Sequence, residues 1–509
     1  MCPARDGEPP AAGAAIGVDV PQGAALEVAI VVYRPVLDEL RACLLALDEL
    51  RGPGAAVVVH LWHCDAGPQD TPGLPELLRQ LQAAGTPLKP GGGAGNLGFG
   101  RAINALSPGL AASHLLILNQ DAIPEPGALT RLWHEARHDD PRVAAWELRQ
   151  IPYEHPKDYD PATGETGWFS GAAVLLRTDA LRAVGGFEPR FFMYCEDVDL
   201  SWRLRCAGWR LRYLPQCAVV HRTYEHAGQV KPLAALQGYY ANLCLRTRFA
   251  GRRCVREGIG ALLREMRGRQ PFAGRRRGIV TALLKFARDD RYFRRTRRAA
   301  SDFEPCFNGW DYEQRREGAF HAFRAQAERQ APLPAATVLL RARGDAQALE
   351  EALRCIAGQT HAPLEIIVVG GTEPALHPVC SAWATRLPLR PLAEPPSATL
   401  QALAVVHAQA DWWLILEDER TRLYADHLEV LLQAALDQGR LAAVSLTWLI
   451  EAEAADHAAA HRRHAPRQTL AGLPATRPTR LLHRNAPADP VYAEVEKTTA
   501  VCYAGSPAG

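Results

Sequence analysis

Residues 115–121 read LLILNQD, a short apolar run that ends in three polar side chains. A run of this length and composition is typical of a buried strand. Two similar runs lie upstream, VAIVVY at 28–33 and VVVHLW at 57–62, and apolar residues recur at helical spacing after each of them, at 37–50 and 74–84. This β-α-β-α-β order predicts an α/β fold with a parallel sheet.

The polar residues that follow these strands are the first candidates for a ligand site, because open parallel sheets bind ligands beyond the carboxyl ends of their strands. They are Asp65 after the second strand, and Asn119, Gln120 and Asp121 after the third. A carboxylate such as Asp121 suits a Mg²⁺ or Mn²⁺ ion that bridges a diphosphate. The plainer interpretation is a local cap in a strand-ending turn.

Length and composition indicate a globular protein with two domains and a connector. The 509 residues exceed what one hydrophobic core normally serves, and 48% of them are hydrophobic and 22% charged. We expect a flexible leader at 1–26, a first α/β domain at 27–250, a basic helical connector at 251–330, a second α/β domain at 331–455 and an irregular C-terminal tail at 456–509.

Basic charge is concentrated in the connector. Residues 251–300 hold 16 Lys/Arg and four Asp/Glu, a net charge of +12, whereas the whole chain has a formal charge of +2. Such a block is typical of contact with an anionic membrane or a nucleic acid, or of a solvated helix face. Apolar residues among the cations, at 279–280, 283–284 and 286, favour an interfacial helix on an anionic membrane, with no nucleic-acid partner.

Cysteine usage and hydropathy favour a cytoplasmic location. The 12 cysteines include no CxxC pair, as expected for reduced thiols rather than for a zinc cluster or a disulfide framework. Neither a signal peptide at 1–23 nor a window of ~18 apolar residues is visible. We therefore expect a cytoplasmic protein, either free or peripheral on the inner face of the cell membrane.

The chain contains an internal repeat. The strand–helix–strand pattern at 337–369 matches the pattern at 28–62, and WWLILEDE at 412–419 matches LLILNQD at 115–121. The similar offsets, roughly 300 residues, indicate a duplicated domain rather than a short-period solenoid.

Residues 93–104 read GAGNLGFGRAIN and include a GxGxxG match. Dinucleotide binding is rejected, because that fingerprint follows the first strand directly, whereas two strands precede this match and KPGG at 89–92 is a poor strand end. From Asn96 onward the segment predicts a tight glycine turn that enters a helix, with the amides of Asn96 and Asn104 placed to close over a nucleotide. An ordinary glycine loop that caps a helix is the alternative.

Three carboxylates, Glu196, Asp197 and Asp199, crowd the segment FFMYCEDVDLSWR at 191–203. One interpretation is that they favour the N-terminus of a helix that ends near Gly208, each by about 0.3–1 kcal/mol. The other is that a carboxylate beside an aromatic, partly desolvated wall is a general base with a raised pKa.

Taken together, these motifs make residues 28–226 resemble family 2 glycosyltransferases, which have the Rossmann-like GT-A fold, and in particular their rhamnosyltransferase-like branch. The motifs are NLGFGRAIN at 96–104, LILNQDAIPEPGAL at 116–129, FSGAAVLLR at 169–177, VGGFEPRFFMYCEDVDLSWRLRCAGWRL at 184–211 and VVHR at 219–222. The resemblance implies an α/β GT-A domain, a Mg²⁺ or Mn²⁺ cofactor and a nucleotide-sugar donor.

The resemblance also assigns roles to individual residues. Asp197, with Glu196 beside it, is implied to be the catalytic base, and Asp121 and His221 are implied to hold the metal or the diphosphate. The donor is expected to contact Asp65, Asn96, Gly98, Asn104, Asn119, Ser170 and Gly171. The acceptor pocket is expected to contain Trp168, Tyr194 and Trp202. On its own, a histidine such as His221 is more often a buried structural residue.

Two departures from the family pattern bear on the donor site. Ala66 follows Asp65 where the family often has Asn, and Asn119 supplies a neutral amide where many relatives have a carboxylate. We therefore expect the metal to be held mainly by Asp121 and by the diphosphate itself.

The second copy resembles the same fold more faintly, over residues 335–450. Gly370 and Gly371 stand where the family has an acidic residue, Glu417 and Glu419 replace the metal-binding pair, and the sequence has no second EDVDL segment. We expect a partial, degenerate GT-A-like copy without a general base.

The sequence thus predicts an inverting glycosyltransferase that moves a sugar from a nucleotide-sugar donor to a hydroxyl of a saccharide or lipid-linked acceptor, in cell-surface polysaccharide or glycolipid synthesis. Two alternatives stay open. A nucleotidyltransferase needs a basic glycine-rich loop after the first strand, where this chain has Arg34-Pro35-Val36. A catalytically inactive scaffold that binds carbohydrate or lipid is suggested by Asn119 and by the degenerate second copy.

Overall fold

The computed structural model describes residues 26–50, 57–64, 71–92, 95–153, 159–223, 229–299, 303, 305, 307, 323–329, 331–451, 468–469, 479–487 and 490–504. Two sheets of mixed strand direction, each covered by helices on both faces, contain most of these residues. The α/β fold class predicted from the sequence is therefore confirmed.

Residues 26–220 build the first sheet and its helices. In chain order the elements are β1 (Leu26–Val32), α1 (Leu37–Ala46), β2 (Val57–His63), α2 (Leu74–Ala83), β3 (Leu88–Gly92), α3 (Phe99–Leu106), β4 (His114–Asn119), β5 (Ile123–Pro124), α4 (Ala128–His138), β6 (Val143–Ile151), β7 (Ala173–Arg177), α5 (Thr178–Ala183), α6 (Glu196–Cys206) and β8 (Arg210–Val220). The strand order is β3-β2-β1-β4-β7-β6-β8-β5. Strands β1 to β4 are parallel, β7 runs antiparallel between β4 and β6, and β8 is parallel to β6.

Alternate residues of the central strands face two different helical layers. Val28 and Ile30 of β1 pack with residues of α1, α2 and α4, whereas Ala29 packs with residues of α3, α5 and α6. Leu116 and Ile117 of β4 divide between the same two layers. Because both faces of the sheet are covered, these strands are apolar throughout rather than alternating.

The edge strand β3 corrects one expectation. Residues 89–92, expected to be a poor strand end, belong to β3 and pair in parallel with β2. Pro90 is tolerated there because β3 is the outermost strand. The glycine loop at 95–98 therefore follows a third strand at the edge of the sheet, still not the first, central strand that a dinucleotide fingerprint follows.

Three helices follow the first sheet: α7 (Pro232–Phe249), α8 (Arg252–Arg267) and α9 (Arg275–Arg295). Ile279 and Phe286 of α9 share an apolar cluster with Tyr240 of α7 and with Phe191 and Trp202 of the first unit. The helices expected for the connector are thus packed against the first unit. Within the described part of the chain, no helix is both long and apolar enough to cross a membrane.

The second sheet and its helices begin at residue 336. The elements are β9 (Ala336–Arg341), α10 (Ala346–Ala357), β10 (Glu365–Val369), α11 (His377–Ala384), β11 (Leu389–Leu392), α12 (Leu400–His407), β12 (Trp412–Leu416), β13 (Thr421–Leu423), α13 (His427–Asp437), β14 (Ala442–Glu451), β15 (Gln468–Thr469), β16 (Thr479–His483) and β17 (Ala493–Ala504). The strand order is β11-β10-β9-β12-β16-β14-β17-β13, with β15 beside β14.

This order repeats that of the first sheet strand for strand, with the same parallel and antiparallel neighbours. Two expectations need correction. The tail at 456–509, expected to be irregular, contains β16 and β17, and these strands complete a second sheet that was expected to be partial. Both strands pair with segments far away in the chain, and β16 is short as well, so the local sequence carries a weak signal for them.

The two units share an interface. Arg149 of β6 and Glu429 of α13 form a buried ion pair with an N–O distance of 2.8 Å. Ile151 and Ala218 of the first sheet belong to the apolar core of the second unit. The segment 323–329 also lies at this interface, where it contacts both units.

Candidate active site

The carboxyl edge of the first sheet brings together segments that are distant in sequence. Strands β4 and β8 end on this edge and the antiparallel β7 begins there, so that Leu118 lies opposite Ala173, and Ile151 opposite Val220. Open α/β sheets bind ligands at this edge. The expected residues Asn119, Ser170 and Gly171 adjoin these strand ends.

Asp121 and His221, expected to hold a metal, lie side by side. Nε2 of His221 is 3.4 Å from Oδ1 of Asp121 and 3.4 Å from Nδ2 of Asn119. The His221 side chain is 6% exposed and that of Asp121 is 42% exposed, so the carboxylate is in contact with solvent. Burial raises the pKa of Asp121, but the hydrogen bond and charge of His221 outweigh it, and the pKa lies below its ordinary value.

Gln150 orients this histidine. Its Oε1 lies 2.7 Å from Nδ1 of His221, and the hydroxyl of Thr223 is 2.9 Å from the same nitrogen. Because an amide oxygen is only an acceptor, Nδ1 donates to it, and Nε2 keeps a lone pair that faces Asp121. The hydroxyl of Thr223, which is also 2.9 Å from Nε2, and the amide of Asn119 can donate to this lone pair, and a proton on Nε2 or a metal ion would join it to Asp121.

These groups fit a divalent metal in part. Carboxylate oxygen and imidazole nitrogen are both ligands of such ions, and Gln150 provides the outer hydrogen bond that metal-bound histidines usually have. Among the described residues, no three His, Cys, Asp or Glu side chains converge to hold an ion. Asp121 and His221 would thus be the two protein ligands, and diphosphate oxygens and water would complete the coordination.

Asp197 holds the N-terminus of α6 against the sheet edge. Its Oδ2 accepts a hydrogen bond from the backbone N–H of Gly171 at 3.0 Å, and its Oδ1 accepts one from the N–H of Val198 at 2.8 Å. The hydroxyl of Ser201 donates to the Asp197 carbonyl at 2.7 Å and accepts from the N–H of Phe169 at 3.1 Å. The carboxylate therefore has a fixed direction while its side chain stays half-buried.

The turn that leads into α6 is strained. Tyr194 and Cys195 have positive φ angles of 69° and 67°. Residues with a side chain rarely adopt this conformation, which costs on the order of 1–3 kcal/mol each and persists where surrounding contacts impose it. Such strain is frequent at active sites, and here it sets the direction in which α6 begins.

The three neighbouring carboxylates have different surroundings. Asp199 is fully buried and binds Arg203 at 2.7 Å and Arg248 of α7. Glu196 is also buried, and its Oε2 has no hydrogen-bond partner among the described residues. Burial, together with the charge of Asp197, raises the pKa of Glu196 to about 8. Asp197 is the one of the three that is in contact with solvent.

The loop at 95–98 lies against the segment that precedes α6. Oδ1 of Asn96 accepts from the N–H of Gly98 at 3.0 Å. Gly98 has a φ of 78°, and a Cβ there would collide with the carbonyl of Phe192. The same carbonyl accepts from the N–H of Phe99 at 3.1 Å. Asn96 and Gly98 thus shape this loop, and their contact with a donor stays a prediction.

Asn104 has a different role from the expected donor contact. Its Nδ2 donates to the carbonyl of Phe187 and its Oδ1 accepts from the N–H of Phe187, both at 2.8 Å. Gly186, with a φ of 70°, lies directly against this amide and leaves no room for a Cβ. Because backbone groups occupy both ends of the amide, Asn104 stabilises the turn before α6.

Trp202, expected in the acceptor pocket, is a core residue instead. It is 2% exposed, and its ring packs edge-on against Phe249 at 5.2 Å and Phe307 at 5.5 Å between centroids. Trp202 follows Asp197 by five residues and so lies on a different face of α6, because each residue turns the helix by about 100°. The expectation for Trp202 is therefore wrong.

The remaining expected residues stand as follows. Trp168 and Tyr194 are half-buried in the segments before Gly171 and α6, and their contact with an acceptor stays a prediction. Ser170 is buried and its hydroxyl accepts from the N–H of Ala172 at 3.3 Å, so it shapes the turn that presents Gly171 to Asp197. Asp65, which was expected to contact the donor, lies outside the described residues.

Gln120, one of the polar residues that the sequence placed at the ligand site, holds the end of β1 through hydrogen bonds to the N–H and carbonyl of Tyr33, both 2.9 Å. Sequence reasoning did not single out two residues beside the site, Gln150 and Lys231. The charge of Lys231, just before α7, helps to lower the pKa of Asp121. The signal that could have identified Gln150 is its polar side chain within a strand. Lys231 had no such signal, because it lies beyond the sequence motifs.

The corresponding edge of the second unit is occupied by its own side chains. Glu417 and Glu419 follow β12 at the positions that Asn119 and Asp121 have at the end of β4 in the first unit. Glu417 is bound by Arg341 and Arg480, each at 3.0 Å. Glu419 is 3% exposed, and its Oε1 accepts from the N–H of Arg343 at 2.9 Å. Both carboxylates are thus engaged by the protein itself.

No protein-family model matches the chain. An N-acetylglucosaminyl-diphospho-decaprenol L-rhamnosyltransferase of Mycobacterium tuberculosis is 44% identical to it over 70 residues, 14% of this chain and 23% of that protein. The rhamnosyltransferase WbbL of Escherichia coli is 39% identical over 71 residues, 14% of this chain and 26% of that protein. The chain thus spans about a quarter of the length of these curated relatives.

Two solved structures are also similar. The mannosyltransferase PcManGT from Pyrobaculum calidifontis, in complex with GDP-Man and Mn²⁺, is 15% identical, with 53% of this chain and 72% of that one covered and a TM-score of 0.35. GalNAc-T7 with UDP, GalNAc and Mn²⁺ is 13% identical, with 52% and 55% covered and a TM-score of 0.37. The similarity that bears on function is therefore the short one to the rhamnosyltransferases.

Proposed function

We propose that this protein is an inverting, metal-dependent glycosyltransferase of the GT-A type, which transfers a sugar from a nucleotide-sugar donor to a hydroxyl of a saccharide or lipid-linked acceptor. The observation that carries the proposal is the hydrogen bond between Asp197 and Gly171, on the sheet edge that also holds Asp121 and His221. Displacement of a diphosphate by general-base catalysis requires a carboxylate held in a fixed direction, here Asp197. It also requires side chains able to bind a metal ion, here Asp121 and His221.

Asp121 and His221 are proposed to hold the diphosphate end of the donor. A Mg²⁺ or Mn²⁺ ion bound there supplies charge stabilisation for the departing nucleoside diphosphate. The neutral amide of Asn119 lies against His221, so Asp121 contributes the carboxylate of this pair, and we expect modest metal affinity. The positive charge of Lys231 acts on Asp121, and we assign Lys231 to the phosphate oxygens.

Asp197 is the proposed general base. It removes the proton from the acceptor hydroxyl, whose oxygen forms a bond to the anomeric carbon from the side opposite the diphosphate. The bond between that carbon and the diphosphate oxygen breaks, and the configuration is inverted. The neighbouring Glu196 is the weaker candidate for the base, because its raised pKa of about 8 keeps it largely protonated near neutral pH. This supports the assignment to Asp197.

The proposed donor sugar is a hexose or deoxyhexose, and the proposed product belongs to a cell-surface polysaccharide or glycolipid. The support is the activity of the relatives, two of which are rhamnosyltransferases. One of them is described as acting on N-acetylglucosaminyl-diphospho-decaprenol, a saccharide linked to a lipid.

The second unit is proposed to be a degenerate GT-A copy without transferase activity of its own. Its strand order repeats that of the first sheet. At its carboxyl edge, however, Arg341 and Arg480 neutralise Glu417, and Glu419 is buried against backbone. Groups of the protein thus bind the two carboxylates of the second unit, whereas Asp121 of the first unit is exposed to solvent.

Helix α9 is proposed to dock the protein on an anionic membrane surface. The apolar residues expected at the membrane lie on two different faces of α9. Ile279 and Phe286 are buried, whereas Val280 and Leu284 are 43% and 68% exposed. Val280 and Leu284 are one turn apart and share a helix face. The exposed cations of α9 are Arg276, Arg277, Arg288, Arg291, Arg294 and Arg295. A small apolar patch among cations fits acidic lipid headgroups.

The test of the proposed activity is metal-dependent turnover of nucleotide sugars by the full chain. A panel of nucleotide sugars is screened by thermal shift with Mn²⁺, and the stabilising donors are then assayed for hydrolysis and for transfer to saccharide and polyprenyl-linked acceptors. We expect at least one donor to be turned over when Mn²⁺ or Mg²⁺ is present and not in EDTA. An inactive scaffold would bind saccharide or lipid and turn over no donor.

A further inference from the structure

We infer that the interface between the two units contains a binding site for an oxyanion group, phosphate or carboxylate, of a small polar ligand. The described residues line a cavity of about 340 Å³ between β8, α4, the segment 324–329 and the start of α13. Small-molecule sites commonly measure ~300–1,000 Å³ and often lie between domains. The proposed transfer reaction does not use this cavity.

Charged side chains dominate its wall. The charged lining residues are Arg131, Arg149, Arg324, Arg329, Glu125 and Glu429, which together carry an excess of positive charge. Arg149 and Arg329 both bind Glu429. A single carboxylate thus serves two guanidinium groups within the cavity.

Glu429 fixes one wall of the site. Its side chain and that of Arg149 are 7% and 4% exposed, and the hydroxyl of Thr360 donates to Glu429 at 2.7 Å. Burial raises the pKa of Glu429, but Arg149 and the other partners outweigh it and lower the pKa to about 2. Glu429 is therefore an anion throughout the physiological range, and it holds the guanidinium groups of Arg149 and Arg329 in place.

The other two arginines are paired with carboxylates that do not line the cavity. Arg324 meets Asp437 at 3.0 Å, with side chains 51% and 44% exposed. Arg131 meets Glu135 at 4.0 Å, with both side chains 47% exposed. Exposed pairs of this kind are weak because water screens them. Both guanidinium groups are therefore available to an anion that enters the cavity.

The chemistry of the wall selects the ligand class. Guanidinium groups form bidentate hydrogen bonds with carboxylate and phosphate, whose oxygens match their planar fork. Arg131 belongs to the first unit, Glu429 to the second, and Arg324 to the segment that joins them. A ligand bound here would contact all three parts and would stabilise their arrangement by mass action.

Inorganic phosphate and glucuronate are the probes that test the site. Each is titrated calorimetrically into the full chain in EDTA, so that the proposed metal-dependent donor site is not engaged. We expect saturable binding of at least one probe, weakened at least tenfold in the double variant Arg131→Gln/Arg324→Gln. If phosphate alone binds, the anionic group of the natural ligand is a phosphoryl group. If glucuronate alone binds, it is a carboxylate. If both probes bind, the site recognises the oxyanion chemistry that the two groups share.

The control removes the same charge elsewhere. Arg79 and Arg354 are exposed and paired with a carboxylate on their own helices, so Arg79→Gln/Arg354→Gln is expected to keep the wild-type affinity. The single variant Arg324→Gln provides the comparison should the double variant fail to fold. The site is overturned by the absence of saturable binding of either probe to the wild type, or by equal binding in the cavity variant and the control.

Discussion

Oε1 of Gln150 lies 2.7 Å from Nδ1 of His221, and both side chains are buried. The contact joins β6 to the end of β8. Because the amide oxygen is an acceptor, it places the proton on Nδ1 and directs the lone pair of Nε2 at Asp121. Gln150 is therefore a positioning residue for the proposed metal site.

Gln150→Leu is expected to weaken Mn²⁺-dependent donor binding by about 10–100-fold, the usual effect of removing the outer partner of a metal-bound histidine. Calorimetric titration of donor with and without Mn²⁺ measures the effect. Gln150→Glu keeps an acceptor at the same place and should restore most of the affinity. Gln80→Leu, on the exposed face of α2, is the control. Unchanged binding in Gln150→Leu would show that His221 is only structural.

Asp197→Asn is expected to lower turnover by at least ~100-fold, the lower limit for loss of a general base, and to leave donor affinity nearly unchanged. Steady-state kinetics and donor titration separate the two effects. Asp199→Asn should act differently, because it weakens the pairing of two buried arginines. We expect it to lower the free energy of unfolding by up to about 3–5 kcal/mol. More than about a tenth of the wild-type rate in Asp197→Asn would contradict the assignment.

Asp121→Ala is expected to abolish the Mn²⁺-dependent part of donor binding, since it removes the exposed carboxylate of the proposed metal site. Glu417→Ala and Glu419→Ala remove the corresponding carboxylates of the second unit and should leave both donor binding and turnover at wild-type levels. The same titration, with and without Mn²⁺, compares all three variants. Equal loss of activity at the two sheet edges would show that the second unit is functional.

Glu196 predicts a pH dependence of stability. Its pKa is raised from 4.5 to about 8, so between these values the folded protein keeps a proton that the unfolded chain has released. Stability should therefore fall as pH rises through this window, by at most about 1.4 kcal/mol per pH unit, and change no further above it. Urea unfolding across the window measures the slope.

Glu196→Gln should remove this contribution, because the amide does not titrate. Glu76→Gln, at an exposed position of α2, is the matched control and should keep the wild-type slope. Parallel stability curves for the wild type and Glu196→Gln would mean that Glu196 is not the group responsible.

Val280→Asp/Leu284→Asp is expected to abolish cosedimentation with acidic liposomes, because it removes the exposed apolar patch and introduces anions on the docking face of α9. Binding of the wild type should weaken at high salt, since each cation near an acidic surface contributes about 1 kcal/mol that salt screens. Val405→Asp/Val406→Asp changes two equally apolar positions on α12, 66% and 74% exposed, and is the control. Equal pelleting of the wild type with acidic and neutral lipid, or none with either, rejects membrane docking.

The sequence by itself determined the central strands of the first unit and the repetition of their pattern in the second. Runs such as 28–33 and 412–416 are apolar at every position, which predicts a strand covered on both faces whatever its partners are. The glycine turn before α3 is also a local feature, because glycine readily adopts the positive φ that the turn requires. The α/β class follows from the order of these elements alone.

Only the tertiary structure decided what the individual side chains do. Glu196, Asp197 and Asp199 are close in the chain, yet the first is buried with one carboxylate oxygen unpaired among the described residues, the second is half-buried and fixed by Gly171, and the third is bound by Arg248. Trp202 was expected at a ligand and lies in a core for the same reason. A side chain's charge state and contacts depend on which distant groups packing brings within hydrogen-bond distance and on how much water it excludes, and neither is a property of the local chain.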